Sequence, residues 1–291
     1  MTQHLAVETG TVSVRQKSAG QPEMLGRAEI LAKRARKWGR VGLVALARLA
    51  VLAALCLAWQ NLLGPMIGIS WFPSLFDIFG RLGSWTADGS LWANLWTTTA
   101  ELVASLVIGG ILGLVLGLLI GFYVRVRDSV YPIAVIIYIA PHSIFVPLVI
   151  SSLGFGIESK VFLGTWTALF IVLFSTMGGV RATQKRMLEG LYLMGAADHE
   201  VLWKVLMPAS RKWVVAGLKV AMPLTLVGIV TAEIFGSERG LGFLVENSAG
   251  SADMVGLYAA VILLAILGVV TNQIIDLVDK RVEGLGDGGD R

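Results

Sequence analysis

Six stretches of about twenty mainly apolar residues dominate this chain, and each is long enough to cross a bilayer's hydrocarbon core as a helix. They cover 41–63, broken only by Arg48, then 94–124, 130–153, 161–180, 214–235 and 254–278. In lipid every backbone N–H and C=O must be satisfied internally, so runs of this length specify helices. The third run carries Pro132, Pro141 and Pro147 and is expected to be a kinked span.

Composition points the same way. Charged residues make up 15% of the chain and hydrophobic ones 55%, against about 25% charged in ordinary soluble domains. Mean hydropathy is +0.74. The expected class is therefore an all-α membrane protein with six transmembrane helices. The single cysteine, Cys56, excludes a disulfide within the chain. The first apolar run begins behind a long polar tail and is too long for a signal-peptide core, so the N-terminus reads as a non-secretory one.

Lysine and arginine set the orientation. Residues 1–40 hold Arg15, Lys17, Arg27, Lys33, Arg34, Arg36, Lys37 and Arg40. They read as a basic, disordered cytoplasmic tail that meets lipid head groups rather than nucleic acid. With six spans, the segments on the far side contain only Arg81, Lys160 and Arg239. The positive-inside rule then puts both termini in the cytoplasm, including a polar tail at 283–291. Trp71, Phe72, Trp85, Trp92 and Trp96 flank the first outer segment as an interfacial belt. The stretch from Phe72 to Phe79 reads as a short amphipathic helix with Pro73 near its start.

Within the spans, Gly109, Gly113, Gly117 and Gly121 recur every fourth residue and share one helix face. That face allows close helix packing, either inside one subunit or at a dimer seam. Two charges stand out, Arg48 and Glu101. Arg48 can snorkel to the head groups. Glu101, about two turns in from the outer end, fits either helix pairing or a water-filled substrate path.

The segment 182–212 is the longest cytoplasmic connection between spans. It reads as two short helices with Gly195 as the bend. Asp198 suits the start of the second. Val201, Leu202, Val205 and Leu206 form its apolar stripe, and Pro208 is expected to end it. Such a helix pair serves either as a connector lying on the bilayer or as a docking element for a cytosolic partner.

The spacing of Glu189, Gly195 and Pro208, six residues before the glycine and thirteen after it, resembles the EAA loop of permease subunits of binding-protein-dependent ABC importers. The small residues expected after the glutamate are Gly190 and Leu191 here, a departure at the second position. IAPHSIFVPLVISSLGFGIESK in the third run and TAEIFGSERGLGFLV after the fifth resemble the same family. The likeness covers residues 70 to 280 and is strongest to the sulfonate, taurine, nitrate and bicarbonate branch.

The resemblance implies a type I importer permease domain over 41–282 in the cell inner membrane. It implies an ATPase-docking set of Glu189, Gly195, Asp198, Val201, Leu202 and Pro208, with Val201 and Leu202 entering the ATPase groove. Its partners would be a cytosolic ABC ATPase dimer, an extracytoplasmic solute-binding protein and a second permease subunit, forming a homodimer. No cofactor or metal is expected on this chain. It contains no G-x-x-x-x-G-K-[ST] segment, so ATP and magnesium would sit on the partner. The branch implies a small organic or inorganic anion such as a sulfonate, taurine, nitrate or bicarbonate, while related permeases carry pyrimidine-type nutrients and the binding protein sets the specificity.

Two rivals remain open. An ion-coupled secondary transporter needs intramembrane ionisable residues, for which Glu101 and, after Pro141, His142 are the candidates. A membrane-embedded enzyme has less support. His4, His142 and His199 are widely separated, and neither a zinc-protease helix nor a nucleophile elbow is present.

Overall fold

Residues 71–183 and 185–286 are described by the computed structural model, together with scattered positions between 47 and 59. The basic tail, Arg48, Cys56, most of the first apolar run and the last five residues lie outside them.

Ser74 caps helix α1 (Leu75–Ala87) by accepting from the Asp77 N–H at 3.2 Å. Ile78 and Trp85 are buried, while Phe76 and Phe79 are exposed, the two-sided character of a helix lying at an interface. Arg81 on α1 pairs with Asp253 at 3.0 Å. The turn into α2 is held by the Ser90 N–H, which donates to Asp88 at 2.8 Å. Hydrogen bonds from the Ser90 side chain and backbone hold the Asp88 carboxyl below its usual value.

Helix α2 (Ser90–Phe122) and α3 (Val124–Ile139) follow. A 3₁₀ turn (His142–Phe145) leads into the short α4 (Val146–Leu153). The pair around Ala140 and Pro141 is bent by 67°, as the prolines of the third run predict. Helix α5 (Ile157–Ala182) and α6 (Lys185–Leu193) come next. Helix α7 (Asp198–Gly236) is 39 residues long, α8 spans Leu241–Gly250 and α9 spans Met254–Gly286.

Among the described residues four helices are long and apolar enough to cross a membrane, and five if the bent pair counts as one span. They coincide with the second to sixth apolar runs. The exposed residues of α2, α3 and α9 are largely Val, Ile and Leu, as expected where the solvent is lipid.

The glycine stripe lies against α5. A Cβ on Gly109 would sit 2.6 Å from the Ala168 Cβ, and on Gly113 2.7 Å from the Leu169 carbonyl. On Gly117 it would lie 2.7 Å from the Thr176 Cβ, and on Gly121 3.2 Å from the Val180 Cβ. Ala168, Val172, Thr176 and Val180 themselves recur every fourth residue, so an i+4 ridge of α5 fills an i+4 groove of α2. The face is occupied within the subunit and is not open for a dimer seam. Helix α7 approaches α5 just as closely. A Cβ on Gly217 would meet the Ser175 Cβ at 2.7 Å, and one on Gly179 the Trp213 ring at 2.9 Å. Helices α2, α5 and α7 thus form one slab with backbones in near contact.

Candidate functional site

At one end of the slab, α6 turns into α7 at Gly195. The glycine adopts φ 85, a left-handed conformation that costs other residues about 1–2 kcal/mol. The Ala196 N–H donates to the Leu191 carbonyl at 3.0 Å, and the Gly195 N–H to the Tyr192 carbonyl at 3.0 Å. This paired arrangement is the Schellman motif, with glycine at its left-handed position. The Tyr192 hydroxyl donates to Asp198 at 3.0 Å, joining the two arms. The Glu200 carboxylate accepts from the Ala197 N–H at 3.3 Å and from Lys204 at 2.7 Å, closing the first turn of α7. The bend is therefore over-determined and stiff.

Val201 (1% exposed), Leu202 (7%) and Leu206 (0%) face inward. They form a core with Leu118 of α2 and Val180 of α5, against which Leu188, Leu191 and Phe122 pack. The expectation that Val201 and Leu202 enter a partner's groove is corrected here. Their stripe is apolar because it seats α7 on its own bundle. The apolar residues that project are Leu193, 90% exposed, and Met194, 85% exposed, beside Gly195. A cavity of about 580 Å³ lies beneath the elbow, and Glu189, Tyr192, Asp198, Arg127 and Arg181 line it.

Pro208 does not end the helix, contrary to the sequence expectation. Residues Val201–Leu206 form a π-helical segment that runs directly into the rest of α7. A proline inside an α-helix clashes with the carbonyl four residues before it. One wider turn relieves that clash, and π segments of this kind concentrate at functional positions.

At the opposite end of the slab lies a buried polar network. Helix α8 begins at Gly240 with no side-chain cap of its own. Its first N–H groups are answered by other helices. The Gly240 N–H donates to Asn94 at 2.8 Å, the Leu241 N–H to the Thr98 hydroxyl at 2.8 Å, and the Gly242 N–H to Glu233 at 2.6 Å. The Thr98 hydroxyl donates in turn to the other Glu233 oxygen at 2.7 Å. Asn94 and Thr98 belong to α2 and Glu233 to α7, so three helices meet at one N-terminus. A carboxylate there is favoured by the unpaired N–H groups and the helix dipole.

Glu101, fully buried, lies beside this network. Its carboxylate stands 3.7 Å from the Lys160 ammonium and accepts no hydrogen bond among the described residues. Lys160, 4% exposed, donates to the Phe155 carbonyl at 3.2 Å and to Ser237 at 2.7 Å. Reading the sequence singled out Glu101 but missed Glu233 and Lys160. Glu233 is an ionisable residue inside the fifth apolar run, and Lys160 stands one position before the fourth. Charge at those places is the signal that marks them.

Residues 109–284 match the family described as the binding-protein-dependent transport system inner membrane component. The chain is 27% identical over 146 residues to the formylaminopyrimidine transport permease protein ThiX of Halalkalibacterium halodurans, covering 50% of this chain and 58% of that one. It is 26% identical to the putative aliphatic sulfonates transport permease protein SsuC of Bacillus subtilis, covering 49% and 51%. It is 30% identical to the taurine transport system permease protein TauC of Escherichia coli, covering 42% and 45%. The match thus spans about half the length of these relatives. A chain of the inward-facing MetNI methionine ABC transporter superposes with a TM-score of 0.61 at 18% identity, over 68% of this chain and 98% of that one. That likeness shows a shared fold. With the family model covering more than half of its length, the chain belongs to the binding-protein-dependent transport system inner membrane components, multi-pass proteins of the plasma membrane.

Proposed function

We propose that this chain is the membrane-spanning permease subunit of an ATP-driven importer, and that its elbow is the surface a cytosolic ATPase grips. The observation that carries the reading is the glycine-turned elbow, which exposes Leu193 and Met194 and leads through a four-residue turn into α7, itself unbroken from Asp198 to Gly236. A rigid apolar tip suits a groove on another protein, and a long helix leading from it suits the transfer of rigid-body motion. In this reading the elbow end and both termini face the cytoplasm, and ATP with magnesium is bound by the partner. A solute-binding protein delivers the solute on the other side, and two identical permease subunits form the path. Glu189 and Asp198 line the cavity behind the tip and support it. The relatives named for sulfonates and taurine favour a small anionic or zwitterionic organic solute. Glu101, buried against Lys160, supports the helix ends rather than lining that path.

The test is co-purification and cysteine cross-linking. A Met194→Cys chain should cross-link to the associated ATPase and lose the cross-link when the ATPase is omitted. Solute uptake into vesicles should require ATP. Uptake driven by a proton gradient without ATP would favour an ion-coupled carrier, for which the buried Glu101 and Glu233 carboxylates are the relevant groups.

A further inference from the structure

The docking elbow and the buried network lie at opposite ends of one helix. Asp198, at the elbow, and Glu233, in the network, both belong to α7. At 1.5 Å per residue they are separated by about 52 Å along its axis. Pro223 lies within α7 without breaking it. Between its ends the helix is held sideways by α5 at Gly217 and Trp213. A rod supported in this way transmits displacement along its length, provided that its far end is fastened to something that must move.

What it is fastened to is the start of α8. The only atoms joining α7 to the first turn of α8 by hydrogen bonds, among the described residues, are the two Glu233 oxygens. One reaches Gly242 directly, and the other reaches Leu241 through the Thr98 hydroxyl. Space for this carboxylate is reserved, since a Cβ on Gly242 would lie 2.7 Å from the Glu233 Cβ. Lys160 adds the turn before α5 to the same assembly through Ser237, just beyond the end of α7. The 237–239 turn is itself stiffened by the Ser237 hydroxyl, which donates to the Arg239 carbonyl.

We infer that Glu233 and Thr98 are positioning residues for transport: they lock α8 and the adjoining turn to the far end of α7, so that movement imposed at the elbow reaches the opposite face of the membrane. This rests on the docking reading given above. Neither residue touches the ATPase, and both act through α7. Their loss should therefore leave nucleotide hydrolysis running and separate it from solute movement.

The experiment uses the full chain with its associated ATPase and solute-binding protein in proteoliposomes, counting solute imported per ATP hydrolysed. Thr98→Val keeps the side-chain volume but removes the hydroxyl's hydrogen bonds to Glu233, to the Leu241 N–H and to the Asn94 carbonyl. Glu233→Gln keeps the shape but replaces one acceptor by a donor. Both should lower solute imported per ATP by at least about tenfold, the range of a coupling free energy between sites. Basal ATP hydrolysis should stay within about twofold of the parent, and Thr98→Ser, which retains the hydroxyl, should import normally. An unchanged ratio in Thr98→Val and Glu233→Gln overturns the inference, and so does a parallel fall of hydrolysis and import, which marks general damage. If the unaltered chain neither binds nor stimulates an ATPase, the docking reading itself falls, and that failure is visible before any variant is made.

Discussion

Thr98 and Glu233, 135 positions apart in the chain, meet at 2.7 Å in a fully buried hydrogen bond. The same Thr98 hydroxyl oxygen receives the Leu241 N–H. One small side chain thereby links α2, α7 and α8 inside the bundle. An unmatched buried donor costs about 1–3 kcal/mol, so the arrangement is both specific and intolerant of loss.

Lys160 is expected to be a strong stability determinant. Removing Lys160 leaves the buried Glu101 carboxyl without its neighbour and takes the donor from the Phe155 carbonyl and Ser237, and a buried polar group left unsatisfied costs about 1–3 kcal/mol. Lys160→Met should therefore lower the thermal unfolding temperature in detergent sharply. Adding Glu101→Leu removes the stranded carboxylate and should recover more than half of the loss. A double variant no more stable than Lys160→Met alone would show that the pair at 3.7 Å is not the source.

The glycine groove makes a graded prediction. At Gly113 a side chain would meet backbone, the Leu169 carbonyl, at 2.7 Å. At Gly110 it would meet only the tip of Leu218, at 3.3 Å. Overpacking of a tight site costs about 1–3 kcal/mol. Gly113→Ala should fall in that range, and Gly110→Ala should cost less than half as much, measured by unfolding in the same detergent.

The elbow separates shape from insertion. Proline fixes φ near −65°, and so Gly195→Pro is incompatible with the observed φ of 85. It also removes the N–H that reaches Tyr192. That variant should insert into the membrane normally and lose ATP-driven uptake. Gly195→Ala, which costs about 1–2 kcal/mol in the left-handed region, should reduce uptake only partly. Normal uptake by Gly195→Pro, assayed in vesicles, would count against the elbow as the docked element.

Exposure distinguishes the tip from the seat. In the detergent-solubilised chain, Met194→Cys should react with a polar maleimide at least about tenfold faster than Leu202→Cys, since local opening is needed to reach the second. Adding the ATPase should protect the first. Equal reactivity at both positions would restore Leu202 to the contact surface.

The sequence was most legible where one physical requirement acted alone. Lipid demands long apolar helices, and five of the six runs have a helical counterpart among the described residues. The bend at Pro141, the turn at Gly195 and the helix start at Asp198 followed equally from local backbone rules. Legibility failed where tertiary packing chose between equivalent options. The stripe containing Val201 and Leu202 shows that a surface is apolar without showing which neighbour covers it, and α2 and α5 cover it. Pro208 reads as a stop unless the wider turn before it is known. Glu233 and Lys160 gain their meaning from residues far away in the chain, which no local pattern reports. Glu101 stands out because it lies deeper in its run.

The borrowed cap of α8 has a consequence for how the protein is made. Asn94, Thr98 and Glu233, which answer its first N–H groups, all precede Gly240 in the chain. Every acceptor the helix needs has thus left the ribosome before the helix does. During synthesis the acceptors on α2 and α7 therefore emerge before the N–H groups they answer, and the start of α8 has its partners on hand before the final span is made.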